Sequence, residues 1–144
     1  IAHYLADSRR LFLGGQDIGY WDGGGSQTTY APYFGEYLKA KFVRDDAASR
    51  VLDGHGTLFA GMTITIAGQG GADNQFYPDV VASIDPDRTD SAWMYQNGGS
   101  AGQTVGPCLP YRALYFALGL EGIGDAALRR QVMERGIELA GGRG

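Results

Sequence analysis

Short apolar runs, each cut off by glycines, set the rhythm of this chain. Leu11-Phe12-Leu13 is continuously apolar, as in a strand covered on both faces, with Arg9 and Arg10 solvating its start. Gly14-Gly15 then permits a sharp exit into Gln16 and Asp17, so the stretch reads as a buried strand opening into a site-like loop. Ligands collect at such strand ends in open α/β sheets. Upstream, Ile1, Tyr4 and Leu5 share one helical face without a cap, which reads as the last turns of a helix.

Further along, Trp21 to Ser26 is a glycine-rich turn, and Pro32 suits the first turn of a helix. Tyr33, Phe34, Tyr37, Leu38, Lys41 and Phe42 recur at helical intervals, which predicts a helix to Phe42 or Val43 packed on a sheet by its aromatic face. Asp45 to Gly56 reads as a polar connection with a short apolar Val51-Leu52. Met62 to Ala67 alternates with period two, as a half-buried strand does, and Gly68 to Asn74 breaks it. Tyr77 to Val81 and Ser83 to Pro86 are extended, and Ala92 to Tyr95 is a strand that turns at Gly98-Gly99 to pair antiparallel with Ala101 to Val105. Arg112 to Leu118 is the strongest strand of the second half, ended by Gly119 beside Glu121. Asp125 suits the N-cap of a last helix, with Leu128, Val132, Met133, Ile137 and Leu139 as its apolar stripe and Gly141-Gly142 as its end. Alternating strands and helices with an antiparallel insertion predict an α/β sandwich.

A chain of 144 residues with 44% hydrophobic content supports one domain with a real core, here taken as 1–144. Its net charge of -4 and scattered Lys and Arg exclude a phosphate-binding footprint, so no nucleic-acid partner is expected. No apolar run approaches the roughly 20 residues needed to span a bilayer. Cys108 stands alone, which excludes an intrachain disulfide and reads as a buried structural thiol. Gly is abundant at 24, and Asp outnumbers Glu by 12 to 4, a bias toward ordered turns that suits an extracellular or cell-surface bacterial domain.

Leu11 to Tyr20, followed by Tyr33 to Asp46, resembles the amidotransferase-like α/β domain attached to large secreted bacterial peptidases of the immune-inhibitor-A-like and subtilase types. Gly68 to Asp79 is similar to that domain's glycine-rich loop, and Tyr115 to Ile123 with Met133 to Arg135 to its closing strand and helix. The resemblance implies a flavodoxin-like three-layer sandwich with a mostly parallel sheet, related to class I glutamine amidotransferases. It further implies that the chain is the C-terminal part of that domain, completed by the remaining N-terminal part or by a partner chain. True amidotransferases place a Cys at the strand-end turn and a His two residues before a Glu, so that imidazole activates thiolate. This chain has Gln16 and Asp17 at the turn and Gly119 before Glu121. The resemblance therefore implies a non-catalytic descendant, in which Gln16, Asp17 and Glu121 keep a polar ligand pocket or cap turns.

Two other constellations carry chemistry. Asp53 to Gly61 is similar to the histidine motif of subtilisin-like proteases, and Asp17 could orient His55 as general base toward Ser100. A subtilase needs a helix after its histidine and a nucleophile in a Gly-Thr-Ser-like turn, whereas Thr63 to Ile66 alternates and Ser100 lacks that context. Asp85, Asp87 and Asp90 form an acidic turn that could donate oxygens to calcium, although Pro86 and Arg88 spoil an EF-hand spacing. His3 and His55 are too few for zinc. The expected function is a non-catalytic structural or binding module of a secreted, peptidase-associated bacterial protein, without cofactor, contacting protein or glycan. The alternatives are a serine protease fragment using His55 and a subunit of a larger extracellular assembly.

Overall fold

The chain turns on a strand buried on both faces. In β8 (Arg112–Phe116), Leu114 and Phe116 face one core cluster, while Ala113 and Tyr115 face another. A computed structural model describes residues 1–68 and 70–141. Its elements run α1 (Ala2–Ala6), β1 (Arg10–Gly14), α2 (Ile18–Trp21), α3 (Tyr33–Glu36), β2 (Ala40–Arg44), β3 (Val51–Gly54), α4 (Gly56–Phe59), β4 (Thr63–Thr65), β5 (Val80–Ser83), β6 (Thr89–Tyr95), β7 (Ser100–Val105), β8, a 3-10 turn (Leu120–Gly122) and α5 (Ala126–Gly141). The eight strands form one strongly curled mixed sheet in the order β1-β8-β7-β6-β3-β4, with β5 added beside β7 and β2 beyond it.

This architecture corrects the expected flavodoxin-like sandwich, and with it the amidotransferase-like description. Of the pairings among the described residues, β1 with β8 is parallel and the other six are antiparallel. A parallel neighbour needs a crossover of about a dozen residues or more, usually helical, whereas short connections return the chain antiparallel. Here β6 returns through Gly98 and Gly99, both at φ 96°, directly into β7, as the sequence pattern predicts. Register shifts between Ser91 and Met94 add the bulges that bend the sheet into a half-barrel. Helices are few, and α5 alone among the described ones exceeds five residues.

The helix expected from Tyr33 to Phe42 is a second correction. It stops after one turn, Lys39 takes φ 55°, and Ala40 to Arg44 become β2, paired with β5. Buried Gln103 accounts for the switch, because its Nε2 donates to the carbonyls of both Leu38 and Lys39, at 2.7 and 2.9 Å. The polar connection from Asp45 to Gly56 likewise contains β3, drawn into the sheet between β6 and β4.

One face of the sheet carries α5 and α4. Trp93, Phe59 and Phe116 pack there, with the Phe59 and Trp93 rings stacked at 4.9 Å. The other face carries Leu5, Phe34, Leu38 and Tyr115. Asp125 caps α5, accepting from the N–H groups of Ala127 and Leu128 at 2.8 and 2.9 Å. Only part of the expected α5 stripe is inward: Val132 is fully buried, but Met133 and Ile137 are exposed. Gly142, expected at the end of α5, and Gln69 of the glycine-rich loop lie outside the described residues. Among the described residues no helix is long and apolar enough to cross a membrane.

Candidate functional site

At the Gly14 end of β1 the chain leaves the sheet and three loops meet. Gln16 ties two of them together: its Nε2 donates to the Asn74 carbonyl at 2.9 Å, and its Oε1 accepts from the Tyr77 N–H at 3.3 Å. Glu121 enters from the 3-10 turn after β8, and its Oε1 accepts from the amides of Asn74 and Gln75, both at 3.3 Å. Buried Gln75 in turn accepts from the Gly119 N–H at 2.7 Å. A chain of amides thus holds the Glu121 carboxylate over the end of the sheet.

Three clefts adjoin at Glu121. One of about 430 Å³ is lined by Gln16, Asp17, Ile18, Trp21, Asp22 and Glu121. A second, about 260 Å³, runs past Phe12, Gly14, Leu120 and Met133. The largest, about 880 Å³, continues along α5 to Arg129 and Arg130, with Gly71 and Ala72 opposite. Trp21 is half exposed at the rim, its ring edge-on to Tyr20 at 5.0 Å. Tyr33 fixes Asp22 by donating to Oδ2 at 2.5 Å, and burial pushes the Tyr33 hydroxyl pKa above its ordinary value.

Behind this cleft lies a feature that the sequence reading did not find. Asp79 is fully buried just before β5, and carboxylate oxygens of Asp17, Asp45 and Asp79 all lie within 4.8 Å of one another. Asp79 Oδ2 accepts from the Tyr20 N–H at 2.9 Å, but Oδ1 has no hydrogen-bond partner. Burial pushes the Asp79 pKa up to about 7; the Tyr20 N–H opposes the rise, and the Asp17 and Asp45 charges add to it. Asp17 is raised as well, by burial and then by Asp45. Asp79 stands between Pro78 and the apolar Val80-Val81-Ala82, and a carboxylate at the mouth of a buried strand was the available signal.

The expected ligand residues Gln16, Asp17 and Glu121 therefore share one cleft. Asp17, His55 and Ser100 have separate surroundings. His55 is exposed and precedes α4 beyond β3, with β8, β7 and β6 between β3 and β1, after which Asp17 comes. Ser100 Oγ donates to the Gly102 carbonyl at 3.1 Å and accepts from its N–H at 3.2 Å, a local turn at the start of β7. Asp85 is paired with Arg88 at 3.2 Å, and Asp87 and Asp90 are exposed. Cys108, expected to be buried, is exposed in the turn before β8. Comparison of the chain with family models, with curated proteins and with solved structures finds no match, so nothing there supports the amidotransferase-like resemblance that the fold already contradicts.

Proposed function

We propose that this chain is a non-catalytic binding module of a larger extracellular or cell-surface bacterial protein, and that its ligand is a glycan. The observation that carries the reading is the exposed Trp21 ring beside Gln16, Asp17, Asp22 and Glu121 in one open cleft. A sugar presents C–H faces that lie on an indole, and hydroxyls that donate to carboxylates held in place beforehand. The amides of Asn74 and Gln75 provide that support for Glu121 and the Tyr33 hydroxyl for Asp22, which lowers the ordering cost of binding. Among the described residues, no Ser, Thr, Cys or His lines the three clefts, so no hydroxyl, thiol or imidazole group is at hand there, and the Asp17, Asp22 and Glu121 carboxylates are assigned to accepting sugar hydroxyls. Association with a peptidase rested on the overturned resemblance and forms no part of the proposal.

Trp93 is fully buried and Trp21 half exposed, so a ligand-induced fluorescence change reports on Trp21. Bacterial and host polysaccharides are screened on an array, and hits are titrated by tryptophan emission. Trp21→Ala is expected to weaken binding at least tenfold, a loss of about 1.4 kcal/mol, with an unchanged melting profile. Absence of any saccharide binding at millimolar concentration would overturn the ligand assignment. Release of new reducing ends from a bound polysaccharide would overturn the non-catalytic reading.

A further inference from the structure

Asp17, Asp45 and Asp79 arrive from three different loops: the exit of β1, the segment after β2 and the approach to β5. Oxygens bound to one calcium ion at about 2.4 Å lie no more than about 4.8 Å apart across its coordination sphere, so the trio fits within such a sphere. Mutual repulsion opposes this convergence, since like charges at such range destabilise the arrangement that holds them. Asp46 beside them is paired with Arg50 at 3.2 Å, so that arginine already serves another carboxylate.

The second observation is independent of the clustering. Asp79 is fully buried and one of its oxygens has no partner, although a buried carboxylate normally fills its acceptor positions. Full burial and the Tyr20 N–H, which holds the other oxygen at 2.9 Å, leave Asp79 little freedom to turn away. Asp45 is exposed, which gives the cluster access to solvent. With oxygen donors alone, no sulfur or imidazole, the donor chemistry selects a hard cation and disfavours zinc.

We propose that Asp17, Asp45 and Asp79 bind one divalent cation, with calcium preferred. Magnesium demands near-octahedral geometry at about 2.1 Å, whereas calcium accepts irregular oxygen sets completed by water, which suits carboxylates brought together by three loops. The cation joins these loops behind the Trp21 cleft and fixes the segment from Gln16 to Asp22. This site goes beyond the glycan reading and is measured without any glycan present, so the two fail separately.

The test is calorimetric titration of the EDTA-treated, dialysed chain with calcium chloride at pH 7.5, paired with melting curves. The expected result is one ion per chain, a rise of several degrees in melting temperature, and weaker binding of magnesium chloride. Asp45→Asn, at an exposed position, is expected to fold normally and to weaken calcium binding at least tenfold. Asp79→Asn is expected to abolish it, and Asp85→Asn to leave it unchanged. No saturable binding at millimolar calcium, or binding equally strong in Asp45→Asn and the wild type, would overturn the proposal. Loss of binding in Asp85→Asn would also overturn it, by placing the ion at the other acidic turn.

Discussion

The Glu121 carboxylate occupies the space that a side chain at Gly119 would need: a Cβ there would lie 2.2 Å from Oε1 and 2.5 Å from the carboxylate carbon, well inside van der Waals contact. The Gly119 backbone is ordinary, at φ -83° and ψ 134°, so space rather than dihedral freedom requires glycine here. Its N–H also anchors Gln75, one of the two amides that hold Glu121.

The atoms that Gly119→Ala would displace are the far end of an exposed, flexible side chain. The expected cost in stability is therefore small, within about 1 kcal/mol. The expected cost in binding is large, because the carboxylate must leave the point where the three clefts meet. Chemical denaturation and ligand titration on the same variant separate the two effects. A variant destabilised by several kcal/mol, or one that binds like the wild type, would contradict this role for Gly119.

Gln103 offers a second test, one that concerns how the chain folds. It is buried in β7 and satisfies two carbonyls at the end of α3. Gln103→Leu leaves the Leu38 carbonyl without a donor, while the Lys39 carbonyl keeps the Ile84 N–H at 2.9 Å, and an unmet buried acceptor costs roughly 1 to 3 kcal/mol. The variant is expected to lose about 1 to 3 kcal/mol by urea denaturation. Hydrogen exchange should show the loss first at the β2–β5 pairing, and uniform loss across the sheet would speak against the assignment.

That contact explains what the sequence could and could not reveal. The β6–β7 hairpin was legible because alternation and Gly98-Gly99 are local, and Asp125 was legible because a cap acts on residues two and three positions away. The segment from Tyr33 to Arg44 was not. Its aromatic spacing satisfies a helix, and the decision to end that helix is imposed by Gln103, far along the chain. Strand direction was illegible for the same reason: β1 finds its parallel partner about a hundred residues later, and apolar runs do not encode which neighbour they meet. The cleft was partly legible, since Gln16 and Asp17 follow a strand end and Glu121 follows another. Asp45 and Asp79 were not, because nothing local to either marks the loop that brings them to Asp17.

Asp79 also makes stability depend on pH in a direction opposite to that of a salt-bridged carboxylate. Its native pKa is raised to about 7, against an ordinary value of 3.8. Between those limits the unfolded chain has released the proton and the native chain still holds it, so stability falls as pH rises through this window and levels off above it. Of the groups facing Asp79, Asp17 and Asp45 are acidic and add to the rise, the Tyr20 and Gly19 N–H groups oppose it without cancelling it, and the Tyr95 hydroxyl donates to the Asp79 backbone carbonyl rather than to the carboxylate. Partly exposed Asp46, lowered chiefly by the Ala48 N–H, contributes the opposite trend at the acid end of the range. Urea denaturation in EDTA should therefore find the wild type less stable at pH 8 than at pH 5 by about 2 to 3 kcal/mol, because that comparison crosses roughly two pH units below the native pKa. Asp79→Asn keeps the shape, removes the proton equilibrium and should flatten most of that slope, leaving the variant more stable than the wild type at pH 8. A slope unchanged by this substitution would mean that another group carries it, and that the buried carboxylate finds in solution a partner for its second oxygen.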